Sequence, residues 1–212
     1  MKGKKIIGLT GKYCAGKNHV ALILERHNIR VLDVDKLGHL AIETEKERLL
    51  ERFGEDILSR DGSSESHIDR KRLGNKVFGK PDELAALEEI IHPAANRETL
   101  AWINSQQGPA CVINAALLHR SSAFEMLDAV IIVEAPFLVR LRRARKRDHL
   151  SLITLLKRFK SQNKFNAQFF KGKTDIYRVK NSVWFSFNKN SAEEKLNKRI
   201  TEILLLEGIT WV

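Results

Sequence analysis

Ile6-Ile7-Gly8-Leu9-Thr10-Gly11-Lys12-Tyr13-Cys14-Ala15-Gly16-Lys17-Asn18-His19 is the stretch that decides the fold. The short apolar run at 6–10 entering a glycine turn reads as a buried strand, and the pattern Val20, Leu22, Ile23, Leu24 reads as a helix that ends near His27-Asn28. Between them Gly11-x4-Gly16-Lys17 has the spacing of a Walker A loop, in the strand-to-helix context that such a loop requires. Glycines let the backbone bend so that successive amides face a phosphate, and the helix adds its positive N-terminal end. Lys17 would span the β- and γ-phosphates. The candidate nucleotide-contacting residues are therefore Gly11, Lys12, Tyr13, Cys14, Ala15, Gly16, Lys17, Asn18 and His19.

Downstream, residues 29–32 form a second apolar run closed by Asp33-Val34-Asp35, which completes a βαβ unit with a parallel sheet behind it. Residues 36–107 are rich in Glu, Lys, Leu and Ala at helical spacing, as in Leu84, Leu87, Ile90 and Ile91, and are expected to be helices inserted between the second and third strands. Residues 110–114 and 129–133 supply two further strands. A final strand is expected at 183–187, a last helix at 192–206, and an irregular, mobile stretch at 164–178. The expected organisation is a nucleotide-binding core from 1–35, 109–137 and 181–212, a helical acceptor region at 36–108, and a basic lid at 138–180.

The formal charge of +11 is concentrated. Residues 138–180 carry 14 lysines and arginines against Asp148 and Asp175, so the rest of the chain is close to neutral. Such a segment is aimed at something anionic. Its aromatic residues, Phe159, Phe165, Phe169, Phe170 and Tyr177, could stack bases, which makes a nucleic-acid-binding protein with a vestigial loop the rival from another class. Phosphate-rich small substrates explain the same charge more economically. There is no run of about 20 apolar residues to span a membrane. Two lone cysteines, Cys14 and Cys111, and a short basic start leading into a strand point to a cytoplasmic protein. Cys111 reads as packing. Cys14 reads as a spectator, although loop amides are able to lower a thiol pKa.

At Asp33-Val34-Asp35 the chain resembles the dephospho-coenzyme A kinase family. The likeness runs in order through Ile7-Gly8-Leu9-Thr10-Gly11, Val31-Leu32-Asp33-Val34-Asp35-Lys36-Leu37, Phe53-Gly54, Ile68-Asp69-Arg70-Lys71-Arg72-Leu73 and Ile90-Ile91-His92-Pro93. It continues through Arg140-Leu141-x-Arg143, Arg147-Asp148-x-Leu150-Ser151 and Arg158-x-x-x-Gln162. The resemblance implies an α/β, three-layer P-loop kinase fold with a parallel sheet, a helical acceptor-binding insertion and a helical lid. It also implies ATP, Mg²⁺ and dephospho-coenzyme A as cofactors and substrate, with phosphorylation of a ribose 3′-hydroxyl as the last step of coenzyme A biosynthesis. Asp35 then resembles the general base, a role that suits a carboxylate at the end of a sheet strand beside a phosphate loop. Arg147 resembles the lid arginine that closes on the triphosphate, with Arg140 and Arg143 as neighbours, since guanidinium binds phosphate oxygens bidentately. Asp33, His92 and Arg140 fall on acceptor-side positions, and Asn188 falls near the adenine-contacting loop. For Asp33 and Asp35 a helix cap is the competing reading.

Three departures stand out. The family has Gly where Lys12 stands, Ser or Thr where Asn18 stands, and Asp-x-Pro-Leu-Leu where this chain reads Asn114-Ala115-Ala116-Leu117-Leu118. An Asn carbonyl is still a hard oxygen ligand, so Asn18 is either a substitute metal ligand or a lost one. The remaining readings are a different nucleoside or nucleotide kinase, and a catalytically weakened nucleotide-binding protein.

Overall fold

The computed structural model describes residues 3–59, 66–161, 174–181 and 189–210. Its strands are β1 (Lys5–Gly11), β2 (Arg30–Asp33), β3 (Ala110–Asn114), β4 (Ala129–Glu134) and β5 (Asp175–Lys180). They form one all-parallel sheet in the order β2-β3-β1-β4-β5. Strands β1, β3 and β4 are buried almost end to end, as the inner strands of a parallel sheet covered on both faces must be. Helices α1 (Lys17–Arg26) and α8 (Lys189–Leu206) pack on one face, sharing a core with Ile7, Leu9, Val112 and Ile131. On the other face Gly8 lies under Leu118 and Leu127, so closely that an added Cβ would come within 2.4 Å of Leu118 Cδ2.

The chain divides into two compact units, one of residues 1–33 with 105–212 and one of residues 34–104. The second contains α2 (Val34–Thr44), α3 (Lys46–Phe53), α4 (Arg70–Val77) and α5 (Pro81–Ser105), which runs through Pro93 as far as Ser105. Ile42, Leu49, Phe53, Ile57, Leu73 and Ile90 supply its own core. Asp69 caps α4 by accepting from the Lys71 and Arg72 amides at 2.8 and 3.1 Å, which satisfies donors the helix cannot. In the first unit, α6 (Phe137–Asp148) and α7 (Leu152–Ser161) follow β4.

One expectation is corrected. Residues 175–178, read from the sequence as part of an irregular mobile stretch, belong to β5 and pair in register with β4. Charge hides this strand: Arg178 and Lys180 look like lid residues, but among the described residues β5 is the edge strand, its polar side chains stay exposed, and Arg178 bonds across the strands to Glu134 at 2.6 Å. The expected lid boundary at 180 therefore overruns into the sheet. The strand expected at 183–187 and the remainder of the stretch, 164–173, lie outside the described residues.

In the middle of β5, Tyr177 donates its phenol to the buried Glu207 carboxylate at 2.7 Å, and Lys5 lies 3.4 Å from the same group. Burial and the bond to Glu207 push the Tyr177 pKa up to about 12 from an ordinary 10.0. A raised phenol pKa means that the neutral form is stabilised by folding. Its contribution is complete below pH 10 and disappears as the pH climbs toward 12. Tyr177→Phe should lower stability by about 1 kcal/mol at neutral pH. In denaturant titrations the variant should also lose less stability than the wild type between pH 10 and 12, and equal losses would refute the linkage.

Candidate active site

Strand β1 ends where Gly11 meets the Val133 carbonyl, so closely that a Cβ on Gly11 would lie 2.4 Å from that oxygen. The chain then turns, with the Ala15 amide donating to the Lys12 carbonyl at 2.9 Å. Gly16 takes the left-handed conformation at φ 98° and starts α1, a geometry that costs glycine nothing. Helix α1 has no side-chain cap and no acid in its first turn, and Lys17 is its first residue. A helix start with neither side-chain cap nor acid presents its positive dipole end to an anion. It also lies at the carboxyl end of the sheet, beside the β1–β3 crevice where the chain connections diverge to opposite sides.

The basic helices are tied to this loop. Arg143 of α6 donates from Nη1 to the Ala15 carbonyl at 2.9 Å and to the Cys14 carbonyl at 3.5 Å, and from Nη2 to the carbonyl and side-chain oxygens of Asn181 at 3.3 and 3.1 Å. Arg147 donates from Nε to Asp148 at 2.7 Å and lies over the Tyr13 ring, 5.1 Å from its centre. Tyr13 donates its phenol to the same carboxylate, and Arg158 also reaches it at 3.5 Å. The Phe159 ring of α7 meets Tyr13 edge-on at 5.2 Å, and Arg140 stacks over Phe159 at 5.1 Å while bonding the Ala135 carbonyl. Four arginines thus surround Tyr13 and Cys14. Their charge would favour a thiolate at Cys14, but burial outweighs it and pushes the thiol pKa up, which keeps Cys14 a poor nucleophile at neutral pH.

At the end of β3, Asn114 donates its side-chain amide to the Asn18 side-chain oxygen at 3.3 Å. Two of the positions that the sequence reading marked as departures are therefore bonded to each other. Asn114 is the register neighbour of Asp33 on β2. Asp33 Oδ1, Asn114 Oδ1 and His19 Nε2 are buried without a hydrogen-bond partner. Such orphaned oxygens at a sheet end are the donors that a hard cation or its water shell would use. Among the described residues no three His, Cys, Asp or Glu side chains gather into a metal cluster. Asp35 lies in the first turn of α2 and His92 in the middle of α5, both in the second compact unit. Asn188 lies outside the described residues.

The sequence reading did not single out Asn181 or the bridging role of Asp148. Asn181 is 1% exposed and donates to the Gly16 carbonyl at 3.4 Å, a contact between residues 165 positions apart that no local pattern could signal. The one available hint for Asp148 is that it stands alone among the bases of α6.

A glycine-lysine cradle opening an uncapped helix at the centre of an all-parallel sheet, faced by arginine-bearing helices, defines a P-loop kinase fold. A family model described as dephospho-CoA kinase matches residues 5–178, and the chain belongs to that family. The dephospho-CoA kinase of Shouchella clausii is 34% identical over 80% of this chain and 86% of its own length. That of Geobacter sulfurreducens is 33% identical over 93% and 96%. Among solved structures, TT1252 from Thermus thermophilus has a TM-score of 0.78 at 26% identity, covering 97% of this chain and 98% of its own. A dephospho-CoA kinase from Campylobacter jejuni has a TM-score of 0.61 at 25% identity, covering 94% and 97%. A shikimate kinase from Bacteroides thetaiotaomicron, with a TM-score of 0.52 at 15% identity, shares the fold alone. Kinases of this family use ATP. No helix among the described residues is long and apolar enough to cross a membrane.

Asp148 takes a phenol and two guanidinium groups, so Asp148→Ala should strip all three of their common acceptor. The expected loss is about 1–2 kcal/mol, seen as a lower thermal midpoint and faster proteolytic cleavage within α6 and α7. An unchanged midpoint and cleavage pattern would show that the carboxylate holds nothing in place.

Proposed function

We propose that this chain transfers the γ-phosphate of ATP to the ribose 3′-hydroxyl of dephospho-coenzyme A, giving ADP and coenzyme A. The observation that carries the reading is the uncapped, acid-free start of α1 at Gly16-Lys17, in a chain whose relatives bear the name dephospho-CoA kinase over most of their length. The loop supports the triphosphate, and the relatives' name supports the acceptor.

In this mechanism the Gly16 and Lys17 region cradles the β- and γ-phosphates, and the Lys17 ammonium follows the charge as it moves to the leaving oxygen. Asp35 takes the proton from the acceptor hydroxyl, while His92 and Asp33 contribute to holding the acceptor. Arg147 exchanges Asp148 for phosphate oxygens, a trade of one anion for a more highly charged one that guanidinium makes readily. Arg140, held over Phe159, keeps a further positive charge beside the loop. Asn188 is assigned to the adenine.

Mg²⁺ is proposed as the metal partner of ATP. The orphaned oxygens of Asp33 and Asn114 fit it, and when bound it would neutralise charge between the phosphates. The Asn18 oxygen accepts from Asn114, and its second lone pair is what Asn18 would offer to that shell. The reaction involves only small anionic substrates, which accounts for the basic segment without nucleic acid, and a cytoplasmic location suits it.

Acceptor-dependent release of ADP is the decisive assay, and its absence would sink the assignment in favour of a weakened nucleotide-binding protein. Lys17→Ala and Arg147→Ala should each cut kcat by about 10²-fold or more, as loss of a phosphate contact in the transition state does. Asp35→Asn should lower kcat by about 10²-fold with little change in KM for ATP. A rise confined to KM would make Asp35 a binding or capping residue instead. Asn18→Ser should hold or raise activity and lower the Mg²⁺ concentration needed for half-maximal rate. A sharp fall would show chemistry rebuilt around the amide pair.

A further inference from the structure

The sequence expectation for Arg143 is contact with the nucleotide, yet each of its terminal nitrogens has two protein acceptors. We propose that Arg143 and Asn181 are positioning residues that together hold the carbonyls of Cys14, Ala15 and Gly16 on the protein side of the phosphate loop, so that the amides of the same peptide planes face the phosphates. The inference rests on the triphosphate-binding part of the reading above and not on the identity of the acceptor.

Peptide planarity makes the link direct. In a trans peptide the N–H points opposite to the preceding C=O. Turning the Ala15 carbonyl toward Arg143 therefore turns the Gly16 N–H away from it. The Gly16 carbonyl, which also accepts from the His19 and Val20 amides of α1 at 3.1 and 3.3 Å, is held by Asn181 Nδ2 in the orientation that does the same for the Lys17 N–H. The clamp is itself fixed at both ends. Arg143 is on α6, next to the fully buried Ala144, and the Asn181 amide donates to the Glu134 carbonyl at the end of β4 at 2.7 Å. The fit is close, since a Cβ on Gly16 would lie 2.2 Å from Asn181 Nδ2 and 3.2 Å from Arg143 Nη1. Asn181 is buried, and its side-chain bonds to Arg143 and Gly16 give it no route to the phosphates except through the loop. A backbone cradle accepts phosphate well only when its amides are already aligned, because alignment at the moment of binding would cost affinity.

The test is calorimetric binding of inorganic tripolyphosphate, a probe with no base or ribose, to the wild-type chain and to Arg143→Ala, Asn181→Ala, Arg143→Lys and the double alanine variant. Each alanine variant should bind about tenfold more weakly, the scale of a lost hydrogen bond to a charged group. The double variant should be no weaker than the weaker single, because both act through the same loop. Arg143→Lys should resemble Arg143→Ala, since an ammonium cannot span the Ala15 carbonyl and Asn181 at once. In the kinase assay KM for ATP should rise and KM for the acceptor should stay unchanged. Unchanged affinity in Asn181→Ala, additive losses in the double variant, or full rescue by Arg143→Lys would each overturn the clamp while leaving triphosphate binding intact. Failure of the wild-type chain to bind the probe would overturn both. If an alanine variant fails to fold, Asn181→Ser, which is too short to bridge Arg143 and Gly16, carries the same comparison.

Discussion

The first turn of α1 begins with amides that no side chain caps and with a lysine in place of the acids that would neutralise it. A helix start of this kind is stable at the centre of a protein only if the surroundings tolerate concentrated positive charge and hold the backbone open for an anion. Much of the first unit answers that constraint. The inner strands bring β1 to the middle of the sheet, the Val133 carbonyl demands a glycine at position 11, and the carbonyl side of the loop is occupied by Arg143 and Asn181. Charge repulsion among four arginines around one loop is contained by cation–π stacking on Tyr13, Phe137 and Phe159 and by a single carboxylate, Asp148.

The loop and the inner strands were legible because their signals are local. A glycine-lysine spacing after a short apolar run identifies the cradle, and residues 110–114 and 129–133 are apolar without interruption because both sheet faces are covered. Strand β5 was not legible. An edge strand with one buried position looks like a polar loop, and its Arg and Lys residues were counted with the lid. Asp33 and Asp35, two residues apart, were read as one strand end, whereas β2 stops at Asp33 and α2 starts at Val34. The carboxylates therefore belong to different compact units.

Arg143 and Asn181 show a different limit. Composition announces that residues 138–180 are basic, but not which arginine stays in solvent, which stacks, and which turns inward to carbonyls. That choice is made by contacts spanning 38 to 165 positions of sequence. The Asn18–Asn114 bond is similar in kind. The two asparagines stand 96 positions apart in the sequence, and in the fold they are one paired feature at the end of the crevice.

Because Asn181 continues directly from β5, its backbone amide bonds the end of β4 and its side chain donates to the Gly16 carbonyl, the outermost described strand is tied to the phosphate loop through one residue. Edge strands are where sheets fray and where neighbouring chains can pair. A ligand that steadied the loop would also steady this strand, and by reciprocity the order of the strand would bear on binding at the loop.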